Sequence, residues 1–517
     1  MVRKLIFSLV LACAGAFAYA QNAYDALRFS QQYSEGTARS VAMGNAFVAL
    51  GGDMGGLSVN PASSAVYRYS ELVFTPSITV SNTESDYLGS LASAGKTRAG
   101  IANFGFIGSY STGRRSGLVN WSVGLVLNKQ NNYTNARKVY GVTDESSWLA
   151  SLAYALTVRP DGIFAPDMDL NDRNEPFYYS NASWNSILAW NNSLLDTIPG
   201  TRDQYYAATE NLNGYDISVG GELAQRFNAV STGNTTEAVI NWGGNFSNKL
   251  FIGVNMGIQS IVYKYEENYS EEALNSRDFM SGFSYFNAGY RYKATGTGIN
   301  LKAGLIYLPT EWLRLGASIS TPTWFYLSEE WENGMNSEFD DGYRQRLISP
   351  LGTCNYRLDT PFRWNVGAAL RMGNRGVLSA DYERVDYTKA QLRDADYEFG
   401  YDVENSDIKR LFTTQDIIRI GAEVNVNPAF AVRGGFQHYS SPYSGGSSDD
   451  ALSIGSLGIG YVWPCGASDF FIDVTYQQKL QKSSEEFSLY DDTNIAAPTG
   501  ISENSNWKLL VSFGFKF

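Results

Sequence analysis

The chain has one histidine and three cysteines among its 517 residues. A metal centre built on histidine is close to excluded, because such sites draw several imidazole or thiolate ligands together. Cys13, Cys354 and Cys465 are too few and too scattered for a disulfide framework. Proline is scarce, at 14 residues, and no proline-rich linker divides the chain, so a string of separate soluble domains is not expected. Basic residues are also short, with 40 Lys and Arg against 52 Asp and Glu. The resulting net charge of −12 argues against a nucleic-acid partner, whose phosphates call for a basic face. After Ala20 no apolar run reaches the roughly 18 residues that a membrane helix needs.

What the sequence does hold is 50 Gly, 34 Tyr, 28 Phe and 11 Trp. That profile suits strands with aromatic anchors. Residues 1–20 read as a secretion signal: Arg3 and Lys4, an apolar run from Leu5 to Phe17, and Ala18-Tyr19-Ala20 before Gln21. A lipoprotein signal ending at Cys13 is the weaker reading, since that cysteine sits inside the apolar run after the bulky Leu11.

Alternation is plainest at the C-terminus. In "NWKLLVSFGFKF" the positions Trp507, Leu509, Val511, Phe513, Phe515 and Phe517 are apolar, while Lys508, Ser512, Gly514 and Lys516 fall between them. One face of such a strand meets an apolar medium and the other does not. Ile418 to Val426, Phe470 to Tyr476 and Leu313 to Ile319 repeat the pattern. Fourteen such strands can be read between residues 71 and 517, joined alternately by short turns and long polar loops. That parity predicts an all-β fold, a membrane-spanning antiparallel up-and-down barrel of about 14 strands with its turns sorted to two ends. Inward charges such as Arg314, Arg419, Glu423, Asp381 and Asp473 are expected to brace the lumen as ion pairs.

A barrel this wide cannot fill itself with its own side chains. Residues 21–70 are expected to fill it, starting on the periplasmic side as a hatch or plug, with a short helix near Val41 to Leu50. Gly44, Gly51, Gly52 and Asp53 would allow tight turns, and Asn60-Pro61-Ala62 would make a rigid exit toward the first strand. A loose periplasmic tail is the competing reading.

Three stretches carry a family resemblance: "GTARSVAMGNAFVALGGDMGGLSVNPAS" from Gly36, "ATGTGINLKAGLIYLPTEWLRLGASISTPTWF" from Ala294 and "YRLDTPFRWNVGAALRMGNRGVLSADYERVDYTKAQL" from Tyr356. With these the chain resembles the FadL/TodX-type transporters for long-chain fatty acids and other hydrophobic compounds. The resemblance implies a 14-stranded outer-membrane barrel of a Gram-negative bacterium, with an N-terminal hatch. It also implies cargo capture by extracellular loops and passive release through a gap in the wall. The alternative is a FadL-like barrel that docks secreted or surface proteins. Expected partners are outer-membrane lipids, hydrophobic cargo and the barrel assembly machinery, with Phe513, Phe515 and Phe517 resembling its insertion signal. No cofactor is expected, and the chain is read as a monomer and not an enzyme.

The long insertion 131–235 departs from the best-known members of that family. Within it, Trp148, Leu149 and Leu152 repeat at helical spacing, as do Trp184, Ile187, Leu188, Leu194 and Leu195. These side chains either line a greasy extracellular groove for cargo or pack against each other as the core of a lid. Asp167, Asp169 and Asn171 offer oxygen ligands to Ca²⁺, without the glycine or closing glutamate of an EF-hand loop. His438, with Ser440 and Ser441 nearby, is the sole candidate base for hydrolysis, and a rim histidine at the lipid interface is the preferred reading.

Overall fold

Side chains that alternate between an apolar and a polar face close here into one sheet without an edge. The computed structural model describes residues 22–517 apart from 160–161, 172–173, 215, 396–399, 448–449, 467, 481–482 and 491–496. The signal segment 1–20, with Cys13, lies outside the described residues. Fourteen antiparallel strands form a closed barrel. They are β1 (Glu71–Tyr87), β2 (Ser90–Ser111), β3 (Leu118–Asn132), β4 (Leu223–Phe246) and β5 (Leu250–Ala273). Next come β6 (Phe283–Tyr307), β7 in two parts (Leu313–Ser320 and Trp324–Phe339) and β8 in two parts (Gly352–Asp359 and Arg363–Arg371). The circuit is completed by β9 (Gly376–Asp386), β10 (Thr414–Asn425), β11 (Phe430–Tyr439), β12 (Leu452–Cys465), β13 (Ser468–Lys479) and β14 (Thr499–Lys516). β14 pairs back onto β1 from Glu71↔Lys516 to Tyr87↔Gly500.

The outer face carries a belt of exposed apolar side chains, among them Phe74, Phe104, Leu125, Ile240, Val254, Leu301, Val366, Ile420, Leu457 and Phe513. Exposed aromatics, including Tyr307, Trp312 and Trp463 toward the short turns and Trp324 and Tyr326 toward the other end, flank it. A soluble protein does not expose so continuous an apolar surface. A closed barrel with such a belt spans the bacterial outer membrane.

The strands overrun the membrane. β4, β5 and β6 have 24, 24 and 25 residues, where about ten cross the hydrocarbon. The alternation of short and long joints therefore holds less strictly than the sequence suggests. β1 and β2 continue as a ribbon to a two-residue turn at Leu88 and Gly89, both at positive φ.

The N-terminal chain runs inside the barrel, but from the opposite end to the one expected. Helix α1 (Ala23–Ser30), capped by the Asn22 side chain, packs among Tyr263, Tyr292, Leu327, Tyr356 and Phe412. These belong to the half of the lumen away from the short turns. The chain then descends to Ser70, whose backbone exchanges two 3.0 Å hydrogen bonds with Phe517. The helix expected over Val41 to Leu50 is also displaced. Helix α2 covers Ala38–Ala42, and Gly44 and Asn45 at φ 60° and 55° end it. Asn60 is extended, as Pro61 requires, yet Pro61 opens a 3-10 turn, Pro61–Val66, before the chain reaches β1.

Candidate functional site

Wall and N-terminal segment are matched at the level of backbone. Wall glycines at lumen-facing positions leave room for it. A Cβ on Gly253 would collide with Pro61, on Gly304 with Asn60, on Gly316 with Val48, on Gly421 with Met43 and on Gly435 with Gly44. Polar wall side chains then satisfy the segment's main chain. Asn241 donates to Pro61 O at 3.0 Å, Asn255 to Leu57 O at 2.7 Å and Thr475 to Ala38 O at 2.6 Å. Asp381 accepts from Val48 N at 2.8 Å, and Arg314 donates to Leu50 O. Leaving those groups unpaired in a dry interior would cost about 1–3 kcal/mol each.

The inward charges thus do more than pair with one another. Arg419 meets Glu383 at 2.7 Å, and Arg433 bridges Glu423 at 2.6 Å and Asp473. Glu423 also takes Arg39 of the segment at 2.8 Å. Arg39 lies 4.0 Å from Asp53, which accepts from Thr37 at 2.7 Å and from Gly55 N at 2.8 Å. Burial nevertheless holds the Asp53 carboxyl above its usual range. Gly51 and Gly52 turn at φ 64° and 69°, while Ala62 packs on Phe251 and Ile306.

A seam interrupts the wall. β2 and β3 pair only from Asn103↔Asn128 to Ser111↔Asn120. Above that, an extra residue, Ala102, bulges β2 where Pro76 faces Ile101. β3 shifts register between Lys129 and Asn131. The chain then leaves the β2 ladder and bonds inward-facing side chains of β1: Asn132 donates to Thr79 at 3.0 Å and Asn135 accepts from Ser81 at 3.0 Å. The seam lies at belt height, where Ile78 and Ile101 still face lipid at 41% and 55% exposure.

The N-terminal segment holds the seam's lower lip. Tyr33 N donates to Gln130 O and Glu35 N to Lys129 O, both at 2.8 Å. The Glu35 carboxylate, 1% exposed, sits between Lys129 of β3 at 2.9 Å and Lys508 of β14 at 2.6 Å. Burial would raise its pKa, but the two ammonium groups bring it down to about 2. Composition gave no hint of Glu35, Lys129 or Lys508. Inward parity does mark Lys508, and the wall glycines could have been found by the same signal.

The extracellular insertion is a folded lid. Helices α3 (Trp148–Thr157) and α4 (Trp184–Asn191) form where the spacing predicts. Leu194 ends outside a helix and Leu195 opens a short strand instead. Trp148, Leu149, Leu152, Ile187, Leu188, Leu194 and Leu195 are all buried in one core with Phe286, Met335 and Phe339 of the strands, and Trp184 packs at its margin. They form no open greasy groove, because each spends its apolar face on the lid. The lid is fixed by Glu271, which accepts from Trp148 N at 2.8 Å and Ser147 at 2.6 Å.

The calcium reading is corrected too. Asp169 accepts from the Trp190 indole at 2.7 Å, and Asp167 caps its own turn. Asn171 bridges to Asn174, so the three do not converge on one point. Among the described residues no three acidic, histidine or cysteine side chains are placed to hold a metal ion together. His438 bonds Ser453 at 3.1 Å, whereas the Ser440 hydroxyl oxygen accepts from Asp416 N at 2.9 Å and that of Ser441 accepts from Tyr443 N at 3.2 Å; the partner of His438 is thus neither of the two serines that the sequence offers. Neither Cys354 nor Cys465 forms a disulfide among the described residues.

No protein-family model matches the chain, and no curated protein matches it. Solved structures do. The toluene transporter TodX of P. putida superposes with a TM-score of 0.51 at 12% identity, over 94% of this chain and 99% of that one. A FadL homologue of Pseudomonas aeruginosa gives 0.52 at 11% identity, over 94% and 100%. The class is an outer-membrane barrel of 14 strands. Its fold is the one those FadL/TodX-type structures share.

Proposed function

We propose that the chain is a passive outer-membrane channel for hydrophobic compounds such as long-chain fatty acids. Extracellular loops take up cargo, the N-terminal segment acts as a hatch, and release is lateral, through the seam into the membrane. The observation that carries this reading is the break in β2–β3 pairing at belt height, above a lumen occupied by residues 23–66. A solute with a long apolar tail gains about 0.8 kcal/mol per buried CH₂, so an exit into the hydrocarbon favours it and not a sugar. The named cargo of the similar TodX structure, toluene, is of that apolar kind.

Gly100 offers the test. A Cβ there would meet only the Lys129 ammonium, at 3.3 Å, across the seam. Gly100→Trp should fill the seam and reduce uptake of labelled fatty acid into proteoliposomes about tenfold or more, with the barrel still folded and heat-modifiable. Free passage of sugars by the unaltered chain, with no fatty-acid uptake, would replace the reading with a porin. Passage of neither, together with copurifying secreted proteins, would favour the docking role.

A further inference from the structure

Two neighbouring turns at the periplasmic end carry cations with no counter-charge of their own. The β2–β3 turn is tight, with Gly113 and Gly117 at φ 72° and 71°, and it leaves Arg114 and Arg115 exposed. The β4–β5 turn lies against it: Ser247 N donates to Gly117 O at 2.8 Å and Gly117 N to Ser247 Oγ at 3.0 Å. This second turn adds Lys249, also exposed. None of the three side chains forms an ion pair or hydrogen bond among the described residues. The sequence gives the reason. The chain has 52 Asp and Glu, yet none falls from Tyr87 to Thr143 or from Ala238 to Tyr265. Both hairpins are therefore purely cationic at this end, and an anion for them must come from elsewhere.

Above the cations, on the lipid side, lies an aromatic platform. Tyr110 and Trp121 stack at 4.6 Å, and the pairing Trp121↔Gly244 carries the platform onto β4. There Trp242, Leu118 and Phe246 lean over Gly244, where a Cβ would meet them at 3.0 to 3.2 Å. Tyr110 and Trp242 are exposed to the bilayer. The Tyr110 hydroxyl and the Trp121 and Trp242 indole N–H groups have no hydrogen-bond partner among the described residues. Amphipathic rings with donors to spare belong at the level of a bilayer's polar groups, and arginine forks match phosphate oxygens. A soluble acidic protein would meet the cations but not the platform, which faces lipid.

We infer that the two turns and the platform bind an anionic glycerophospholipid of the inner leaflet. Its phosphate and headgroup lie on Arg114, Arg115 and Lys249, and its acyl chains lie against Trp121 and Trp242. The inference goes beyond the transport reading and does not depend on it. The bound lipid bridges two hairpins that only the folded wall brings together, so it binds the folded chain and not the unfolded one and stabilises the barrel.

The test offers the full chain, in detergent micelles, equal amounts of dioleoyl phosphatidylglycerol and dioleoyl phosphatidylcholine. Lipid retained on the folded chain is read by native mass spectrometry. The two lipids share their acyl chains and differ in net charge. Phosphatidylglycerol should be retained about tenfold or more over phosphatidylcholine, and it should raise the temperature at which the heat-modifiable barrel unfolds. Arg114→Gln with Arg115→Gln should abolish that preference, since each cation at a membrane surface is worth roughly fivefold. Arg114→Lys with Arg115→Lys should keep most of it, which separates loss of charge from misfolding. Arg375→Gln removes an exposed cation from the β8–β9 turn and should leave the preference unchanged. Equal retention of the two lipids, or retention of neither, would overturn the inference. An equal loss from Arg375→Gln would assign the preference to the charge of the whole rim and overturn the site. Displacement of the lipid by glycerol 3-phosphate as readily as by phosphatidylglycerol would make this a site for free phosphate esters, and binding of poly-L-glutamate without phosphatidylglycerol would make it a face for acidic proteins. Either result would overturn the lipid.

Discussion

The Asn60 amide donates to Val48 O at 2.6 Å and to Leu305 O at 3.1 Å, while its oxygen accepts from Ala62 N at 3.0 Å. It is fully buried, so water cannot replace these bonds. Asn60→Ala should orphan two carbonyls and a cap, at about 1–3 kcal/mol. The strands do not depend on it. Hydrogen exchange should therefore speed up over residues 44–66 and not over β5 or β6; uniform protection in both would contradict the anchor role. Glu35 gives a second, pH-dependent effect. Its pKa in the folded chain, about 2, lies below the unfolded carboxyl value. Its stabilisation is thus complete above the unfolded value near 4.3 and is lost as pH falls toward 2, on the order of 3 kcal/mol. Ion leak through planar bilayers should rise across that window. Glu35→Gln should leak at neutral pH and lose the acid step.

Among the elements, the strands were legible because alternation is a local pattern, as Trp507 to Phe517 shows, and lipid rewards it along every strand. The seam was not legible. The run from Asn128 to Asn135 is polar throughout, so it reads as one more strand end, and only pairing with distant β2 reveals the break. The helix over Val41 to Leu50 failed for a local reason: Gly44 and Asn45 take left-handed φ so that the chain can pass close to Gly435 and Phe436 O. Periodicity located helices α3 and α4, but an amphipathic face does not say what covers it. Here other lid residues and the strand tops do. Leu188 is fully buried, and Leu188→Asp should unfold the lid by placing a charge in its core. The expected result is rapid cleavage within 144–222 on intact cells by added protease, with a heat-modifiable barrel retained. Resistance equal to the unaltered chain would mean that the lid does not depend on this core.

For the whole molecule, the closing seam of the barrel runs from Phe517 along the β1–β14 ladder. Phe517 N and O both bond Ser70 at 3.0 Å, joining the chain's end to the start of the wall. Its ring stacks on Phe515 at 5.7 Å and on Phe106 of β2 at 6.3 Å, and it remains 52% exposed on the lipid side. Each aromatic pair is worth about 0.5–1.5 kcal/mol, small against a sheet whose β1–β14 ladder runs from Glu71↔Lys516 to Tyr87↔Gly500. Removing Phe517 should therefore leave a chain that can still fold as a barrel in detergent. In the cell the expectation differs, because a terminal aromatic on an alternating strand is what the assembly machinery would recognise. The deletion should leave the chain in the periplasm for proteolysis, while the same protein refolds in detergent with the heat-modifiable mobility of the intact barrel. Failure in both settings would make Phe517 a stability residue. Normal outer-membrane levels of the deletion would remove it from assembly altogether.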